Sequence, residues 1–198
     1  MSRVLAINGS YRDDGITDQA VDALAKALSN AGAEVEVILL RDHPIEFCLN
    51  CRECTQLPGE APGKCVQQDG MQALIERIES ADAFILASPT NFGSVTALFK
   101  RFMERLIVYG YWPWHMNSPQ LRKAGVARKK ALLVSSCAAP GILGRWFYST
   151  HKQLRTTAQL IGADTIGTLF TGLVGKQAQP VLTRPMQAKI TSLSQKLL

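Results

Sequence analysis

The sequence predicts an α/β fold in which a doubly wound, five-stranded parallel sheet carries helices on both faces. Apolar segments rich in β-branched residues alternate five times with segments of helical periodicity. The strand segments are continuously apolar, which is typical of parallel strands that are buried on both faces and joined by right-handed crossovers. The chain of 198 residues is 46% hydrophobic and contains no linker-like break, so residues 1–198 are predicted to form a single domain.

Strands and helices follow one another in strict order along the chain. The predicted strands are Arg3–Ile7, Glu34–Leu40, Ala83–Ser88, Lys130–Ser136 and Thr165–Thr171. The predicted helices are Thr17–Gly32, Met71–Ser80, Val95–Ile107, a stretch from about Gly144 to Ile161, and a polar C-terminal helix after Pro185. In the first helix, Ala20, Leu24 and Leu28 recur on one face, and Gly32 provides a stop signal. Ligands bind beyond the carboxyl ends of strands in such sheets, so function is to be sought in the loops after the strands.

Charge and hydrophobicity limit the kinds of partner that we expect, among nucleic acids, membranes and small anionic ligands. The net charge of +6 comes from scattered basic residues, and the densest group, Leu121–Lys130, contains no aromatic residue for base stacking. This pattern favours a solvated basic surface over a nucleic-acid site, and it also suits an anionic cofactor or substrate. No apolar run approaches the ~20 residues of a membrane span, and the first residues lack the features of a signal peptide. We therefore expect a cytoplasmic protein with no membrane partner and with reduced cysteines.

The loop after the first strand, "NGSYRDDGIT" (8–17), offers groups that suit a phosphate. Ser10 and Thr17 supply hydroxyls, Arg12 a positive charge and Gly15 a permissive backbone. The backbone N–H groups of Ile16 and Thr17 would point from the start of a helix toward a bound anion. The alternative is a capped turn with Thr17 or Asp18 as the N-cap.

Two more loops lie at the same predicted edge of the sheet. "SPTNFG" (88–93) contains Asn91, which can hydrogen-bond a heterocycle, and Phe92, which can pack on an aromatic ring. "SSCAAPG" (135–141) is small, polar and ends in glycine. Together the three loops could hold a flat ring with a phosphate tail.

These loops, together with the segments Cys48–Asp69 and Ala81–Arg105, resemble the flavodoxin-like NAD(P)H-dependent FMN reductases, in the branch that includes the iron-sulfur flavoproteins. The resemblance covers about the first 140 residues and implies FMN as cofactor. It assigns the FMN phosphate and ribityl chain to Ser10, Arg12, Gly15, Ile16 and Thr17, the isoalloxazine ring to Pro89, Thr90, Asn91, Phe92 and Gly93, and the border of the ring to Ser136, Cys137 and Gly141.

The resemblance also implies the activity. NAD(P)H would reduce the flavin, and the flavin would reduce a small-molecule acceptor such as a quinone, nitro, azo, metal or flavin compound. Because the flavin carries this chemistry, no catalytic side chain is assigned. The aromatic stretch Tyr109–His115 matches a region that often lies at the dimer contact or over the partner's flavin, so a homodimer or homotetramer is expected; local packing of a long loop is the alternative.

Four cysteines pose a separate question. Cys48, Cys51 and Cys54 stand three apart, and Cys65 follows after ten residues that include two prolines and two glycines. An iron-sulfur cluster, a zinc ion, a reversibly oxidised thiol pair and metal-free thiols are all compatible with this spacing. In the iron-sulfur flavoproteins the last gap is shorter, so metal-free thiols are favoured and no metal ligand is assigned. The alternative function is an electron carrier with a cluster at these cysteines, and a flavin-free binding module is a third.

Overall fold

A five-stranded parallel sheet forms the centre of the computed structural model, which describes residues 1–140, 147–176 and 178–198. The strands are β1 (Arg3–Asn8), β2 (Glu34–Leu39), β3 (Ala83–Ala87), β4 (Lys129–Ser136) and β5 (Ala163–Thr171). Their order in the sheet is β2-β1-β3-β4-β5, and every neighbouring pair is parallel. This order is that of a flavodoxin-like sheet, whose switch point lies between β1 and β3. The predicted fold class is confirmed.

Five helices lie near the predicted positions. They are α1 (Ile16–Asn30), α2 (Met71–Ser80), α3 (Ala97–Arg105), α4 (Thr150–Leu160) and α5 (Arg184–Leu197). The prediction for α3 was two residues too long at its start, because Thr96 caps the helix by accepting a hydrogen bond from the backbone N–H of Phe99. After Arg105 the chain continues as a 3₁₀ turn, Leu106–Tyr109. The first residues of the predicted helix from about Gly144 lie outside the described residues.

The two faces of the sheet carry separate cores. Val4 and Ala6 point to the face covered by α1 and α5, where Leu24, Leu28 and Leu193 are buried. Leu5 and Ile7 point to the opposite face, with buried residues of α2, α3 and α4. Alternate residues of one strand thus face two apolar layers, which is why the segments of β1 and β3 are continuously apolar.

Short elements between the main ones were not predicted. A two-stranded antiparallel ribbon pairs Gly110–Tyr111 with Gln120–Leu121. Single 3₁₀ turns lie at Leu40–Asp42, Glu53–Thr55, Arg122–Gly125 and Val174–Lys176. Within the described ranges, no helix is long and apolar enough to cross a membrane.

Candidate functional site

The loops at the carboxyl ends of β1, β3, β4 and β5 surround a cavity of about 320 Å³, which we call the strand-end cavity. Ten of the thirteen residues predicted to bind the cofactor line it: Ser10, Arg12, Gly15, Ile16, Thr17, Pro89, Thr90, Asn91, Ser136 and Cys137. Its size is within the usual range for small-molecule and cofactor sites. Separate segments of the sequence therefore converge on one site.

The β1–α1 loop presents an open helix end to the cavity. The N-cap of α1 is Gly15, and within the described chain no side chain caps the helix. The interpretation of a turn capped by Thr17 or Asp18 is therefore wrong. The first N–H groups of α1 remain available for an anion, where the positive end of the helix dipole also lies.

A buried polar network holds this loop in place. Asp18 accepts hydrogen bonds from Asn8 Nδ2 at 2.6 Å and from Arg41 Nη1 at 2.9 Å. Asn8 Oδ1 in turn accepts the backbone N–H of Ser10 at 2.8 Å, and Arg41 also donates to the Ser10 carbonyl. Arg41 offsets the negative charge of Asp18, so that a carboxylate in the first turn of α1 does not oppose an anion bound beside it.

Hydroxyl groups tie the other loops together. Thr17 Oγ1 lies 3.0 Å from Ser136 Oγ and so connects α1 with the end of β4. The backbone N–H of Thr90 donates a hydrogen bond to the Ser136 carbonyl at 2.7 Å. The Thr90 hydroxyl accepts a hydrogen bond from the Thr150 hydroxyl at 3.0 Å. The hydroxyl of Thr96 donates to the Gly9 carbonyl at 2.7 Å. These bonds hold the walls of the cavity together.

Two predicted residues, Phe92 and Gly93, are not among the described residues that line the cavity. Phe92 and Gly93 form the tip of a tight turn that the backbone bonds between Asn91 and Ser94 close. Both have positive φ, 47° and 75°, and the Phe92 side chain is fully exposed. Gly141 lies outside the described residues. Contact of Phe92 and Gly93 with a flavin stays a prediction.

Five lining residues were missed: Tyr11, Thr96, Ala138, Val174 and Pro180. Val174 and Pro180 follow β5, and no motif marks them. Sheet topology could have indicated these two residues, because the carboxyl end of a fifth parallel strand lies at the same edge of the sheet as the other strand ends. Arg12 donates from Nη2 to the carbonyl of Ala178 in this segment, so its guanidinium links the first loop to the last.

All four cysteines of the long loop line a second, small cavity of about 20 Å³, which we call the cysteine cavity. Cys54 is buried, whereas Cys48, Cys51 and Cys65 are partly exposed. Burial, and then the nearby thiols of Cys65, Cys48 and Cys51, raise the pKa of Cys54 to about 11. In the described part of the chain, no three His, Cys, Asp or Glu side chains are arranged to hold one metal ion.

The ten-residue gap before Cys65 folds back on the loop. Gly63 donates its N–H to the Val108 carbonyl at 2.8 Å, and a Cβ at Gly63 would lie 1.7 Å from the carbonyl oxygen of Cys54. The buried Arg122 donates to the carbonyls of Val108, Gly59 and Cys54 at 3.0, 3.0 and 3.3 Å. One glycine and one arginine thus bring Cys65 close to the other cysteines.

A buried ion pair fixes the end of this loop. Arg105 makes two bonds to the carboxylate of Asp69, at 2.5 and 3.0 Å, and a third to the Glu46 carbonyl at 2.8 Å. It also approaches Cys65 Sγ at 3.5 Å. Burial raises the pKa of Asp69, but hydrogen bonds from Arg105 and from the backbone N–H groups of Glu46 and Met71 outweigh it and lower the pKa to about 2.

The aromatic stretch packs mainly on this loop. Tyr109 is buried and donates its hydroxyl to Glu79 at 2.9 Å. The guanidinium of Arg52 lies 3.8 Å from the ring centroid of Trp112 and 4.5 Å from that of Trp114. Trp114 remains 64% exposed. Tyr109 and Trp112 therefore pack within the chain, as the alternative interpretation of the aromatic stretch expects, and no subunit contact is needed to account for these two residues.

Comparison with known proteins agrees with this architecture. A family model described as NADPH-dependent FMN reductase matches residues 2–170, and the chain belongs to that family. An iron-sulfur flavoprotein of Archaeoglobus fulgidus is 39% identical over 111 residues, which are 56% of this chain and 48% of that protein. An iron-sulfur flavoprotein of Methanocaldococcus jannaschii is 34% identical over 103 residues, 52% of this chain and 51% of that protein. The chain thus spans about half the length of the curated relatives it matches.

Solved structures resemble the chain in fold. An FMN-dependent NADH-azoreductase from Bacillus anthracis in complex with FMN has a TM-score of 0.67 at 13% identity, covering 99% of each chain. An NAD(P)H:quinone oxidoreductase from Methanothermobacter marburgensis has a TM-score of 0.65 at 14% identity, covering 98% of this chain and 96% of that one. The family model confirms the predicted family, and the similarity to the iron-sulfur flavoproteins agrees with the predicted branch.

Proposed function

We propose that this protein is an FMN-dependent oxidoreductase that takes electrons from NAD(P)H and delivers them to a small-molecule acceptor. The acceptor is a quinone, nitro, azo, metal or flavin compound. The observation that carries the proposal is the strand-end cavity, where an uncapped helix N-terminus and hydroxyl-bearing residues of separate loops line one space. Family membership supports the same conclusion.

The donors around the strand-end cavity fit FMN. The backbone N–H groups of Ile16 and Thr17 and the hydroxyls of Ser10 and Thr17 would donate hydrogen bonds to the phosphate. No carboxylate belongs to the described lining, so a phosphate dianion would meet no negative charge on the wall. Pro89, Thr90 and Asn91 provide a wall for the ring. Bound FMN would supply the redox chemistry, in which NAD(P)H and one proton reduce a quinone to the hydroquinone and leave NAD(P)⁺.

Anaerobic rapid mixing tests the proposal. The FMN-loaded protein should lose the absorbance band of oxidised flavin on mixing with NADH or NADPH, and adding a quinone or oxygen should restore it. The preferred nucleotide is the one that bleaches the band faster. If the band persists with both nucleotides, the reductase function is wrong and the protein fits an electron carrier better.

An electron carrier with an iron-sulfur cluster is the second candidate. One observation favours it: the structure brings Cys48, Cys51, Cys54 and Cys65 to one cavity despite the long gap before Cys65. Thiolates are the ligands that such clusters use, and the cationic core of a cluster would favour the thiolate of Cys54, whose pKa is raised by burial and then by the neighbouring thiols. The similarity to proteins named iron-sulfur flavoproteins supports it as well.

Metal analysis separates the two candidates. For the reductase we expect protein purified without oxygen to carry FMN, with no stoichiometric iron, acid-labile sulfide or zinc. About four iron and four sulfide per chain, lost together in Cys51→Ala, would instead support the carrier. Cys137→Ala is the matched control, since Cys137 lines the strand-end cavity rather than the cysteine cavity.

Three further expectations from the sequence belong to this proposal. Residues 1–198 form one FMN-binding domain, the protein assembles as a homodimer or homotetramer, and it acts in the cytoplasm. Trp114, which is exposed, is the residue of the aromatic stretch best placed to meet a second subunit. Light scattering of the purified protein measures the assembly directly.

A further inference from the structure

A groove of about 400 Å³ opens beside the strand-end cavity, and we call it the arginine groove. Its lining residues are Tyr11, Phe47, Asn91, Thr96, Ala97, Leu98 and Arg101. Tyr11, Asn91 and Thr96 also line the strand-end cavity, so the two spaces share a wall. A molecule in this groove would lie next to a cofactor in the cavity.

Arg101 is the charged residue of this groove, and the described part of the chain gives it neither a salt bridge nor a hydrogen bond. Its Nε is buried and has no hydrogen-bond partner among the residues that the structure describes. The other two basic residues named on α3 do form salt bridges: Lys100 pairs with Glu104 at 3.7 Å, and Arg105 pairs with Asp69. A buried guanidinium nitrogen without a partner is costly, and the described residues provide no carboxylate to offset the charge of Arg101.

The rest of the groove suits a flat ring. Phe47 and Tyr11 are 65% and 75% exposed, although aromatic rings of this size gain most when they are buried. The Phe47 carbonyl accepts a bond from Gln67 Nε2 at 3.0 Å, which holds that segment. The Phe47 ring centroid lies 5.7 Å from the Arg101 guanidinium carbon. Two aromatic faces and one cation are thus presented together.

We propose that the arginine groove binds the electron acceptor, and that it selects planar aromatic acceptors carrying a carboxylate or sulfonate. Arg101 pairs with the anionic group, because a guanidinium matches these groups with two parallel hydrogen bonds. Phe47 and Tyr11 pack on the aromatic ring. This inference rests on the proposed function, since it names the class of acceptor that the same site takes.

A binding experiment tests the groove without turnover. Calorimetric titration of FMN-loaded protein uses naphthalene-2-sulfonate, with the uncharged naphthalene-2-sulfonamide for comparison. Arg101→Gln should weaken sulfonate binding about tenfold and change sulfonamide binding by less than about twofold. Phe47→Leu should weaken both ligands to a similar degree. Lys100→Gln is the matched control, because it removes one positive charge from the same helix.

Turnover with paired acceptors gives the second measurement. In Arg101→Gln, kcat/KM for 1,4-naphthoquinone-2-sulfonate should fall about tenfold more than kcat/KM for 1,4-naphthoquinone, and the KM values for NADH and NADPH should not rise. Arg101→Lys should recover part of the loss. About 0.5 M salt should reduce the preference for the sulfonate in the wild type.

The results that would overturn this proposal can be distinguished from those that would overturn the proposed function. Equal effects of Arg101→Gln and Lys100→Gln on sulfonate binding would mean that only net charge matters, and the proposal would be wrong. A raised KM for NADPH alone would assign Arg101 to the nucleotide phosphate and also overturn it. If the protein takes up no FMN or does not oxidise NAD(P)H, the proposed function fails, yet the titration on the protein as purified still decides whether the groove binds aromatic anions.

Discussion

The strand-end cavity and the cysteine cavity are built in different ways. Loops from four parallel strands surround the first, and the sheet brings those loops to one edge. A single segment, 47–67, supplies most of the second, and no strand of the sheet positions it. Its shape depends on a few contacts, chiefly those of Gly63, Arg105 and Arg122. Single substitutions should therefore damage the cysteine cavity more than the strand-end cavity.

Gly63→Ala should have the largest effect. The new Cβ would overlap the Cys54 carbonyl at 1.7 Å. Moving Gly63 would break its bond to Val108, and moving the Cys54 carbonyl would break its bond from Arg122. We expect the free energy of unfolding in urea to fall by about 4 kcal/mol. The thiols of Cys48, Cys51, Cys54 and Cys65 should react faster with a disulfide reagent, while FMN affinity changes little.

Gly125→Ala provides the control, since a Cβ there meets nothing within 4 Å. Normal stability and unchanged thiol reactivity in Gly63→Ala would show that the segment 47–67 is not held in the described arrangement. An equal loss of FMN affinity would show that the two cavities are coupled, contrary to the comparison.

Asp69→Asn should have the next largest effect, because it leaves the guanidinium of Arg105 buried without a counter-charge. We expect a loss of about 3 kcal/mol in unfolding free energy near neutral pH. The pKa of Asp69 is lowered in the folded state, to about 2. The carboxylate therefore stabilises the fold above its unfolded pKa of about 4, and this contribution is lost as pH falls from about 4 to about 2.

Urea unfolding at several pH values measures both effects. The difference between wild type and Asp69→Asn should shrink as pH falls through that window. Asp13→Asn is the matched control beside the strand-end cavity: Asp13 pairs with Arg41 but its side chain is 93% exposed, so its loss should have a small effect. A difference for Asp69→Asn that stays constant down to about pH 2 would contradict the assignment.

Ser10→Ala combined with Thr17→Ala should have the smallest effect on the fold and act mainly on the cofactor. The hydroxyls bond to the Arg12 carbonyl and to Ser136, and these are replaceable contacts in a cavity whose walls the sheet positions. We expect FMN binding to weaken by about 2 kcal/mol if the two hydroxyls donate to phosphate oxygens.

Fluorescence titration of apoprotein with FMN measures this loss. Ser80→Ala, which removes an exposed hydroxyl at the end of α2, should bind FMN like the wild type. Unchanged affinity in the double variant would mean that the phosphate lies elsewhere. A large loss of stability would mean that the strand-end cavity depends on individual contacts as much as the cysteine cavity does.

Much of the strand-end cavity could be predicted because its residues sit next to strands that the sequence reveals. Ser10, Thr90 and Ser136 each lie at or just beyond the end of a continuously apolar segment, and parallel strands bring such positions to one edge. The same reasoning missed Val174 and Pro180, since the segment after β5 carries no motif. The contact of Phe92 with the ring stays a prediction; its side chain is exposed at the turn with Gly93.

The sequence by itself determined the order of strands and helices, because apolar periodicity and stop signals are local properties of the chain. It also determined which loops meet at the edge of the sheet. Tertiary structure alone decided the rest: the return of Cys65 to Cys54 through Gly63, and the pairing of Arg105 with Asp69 while Arg101 has no ion pair among the described residues. These outcomes depend on contacts between residues far apart in the chain, and neither composition nor spacing specifies which of several similar side chains makes each contact.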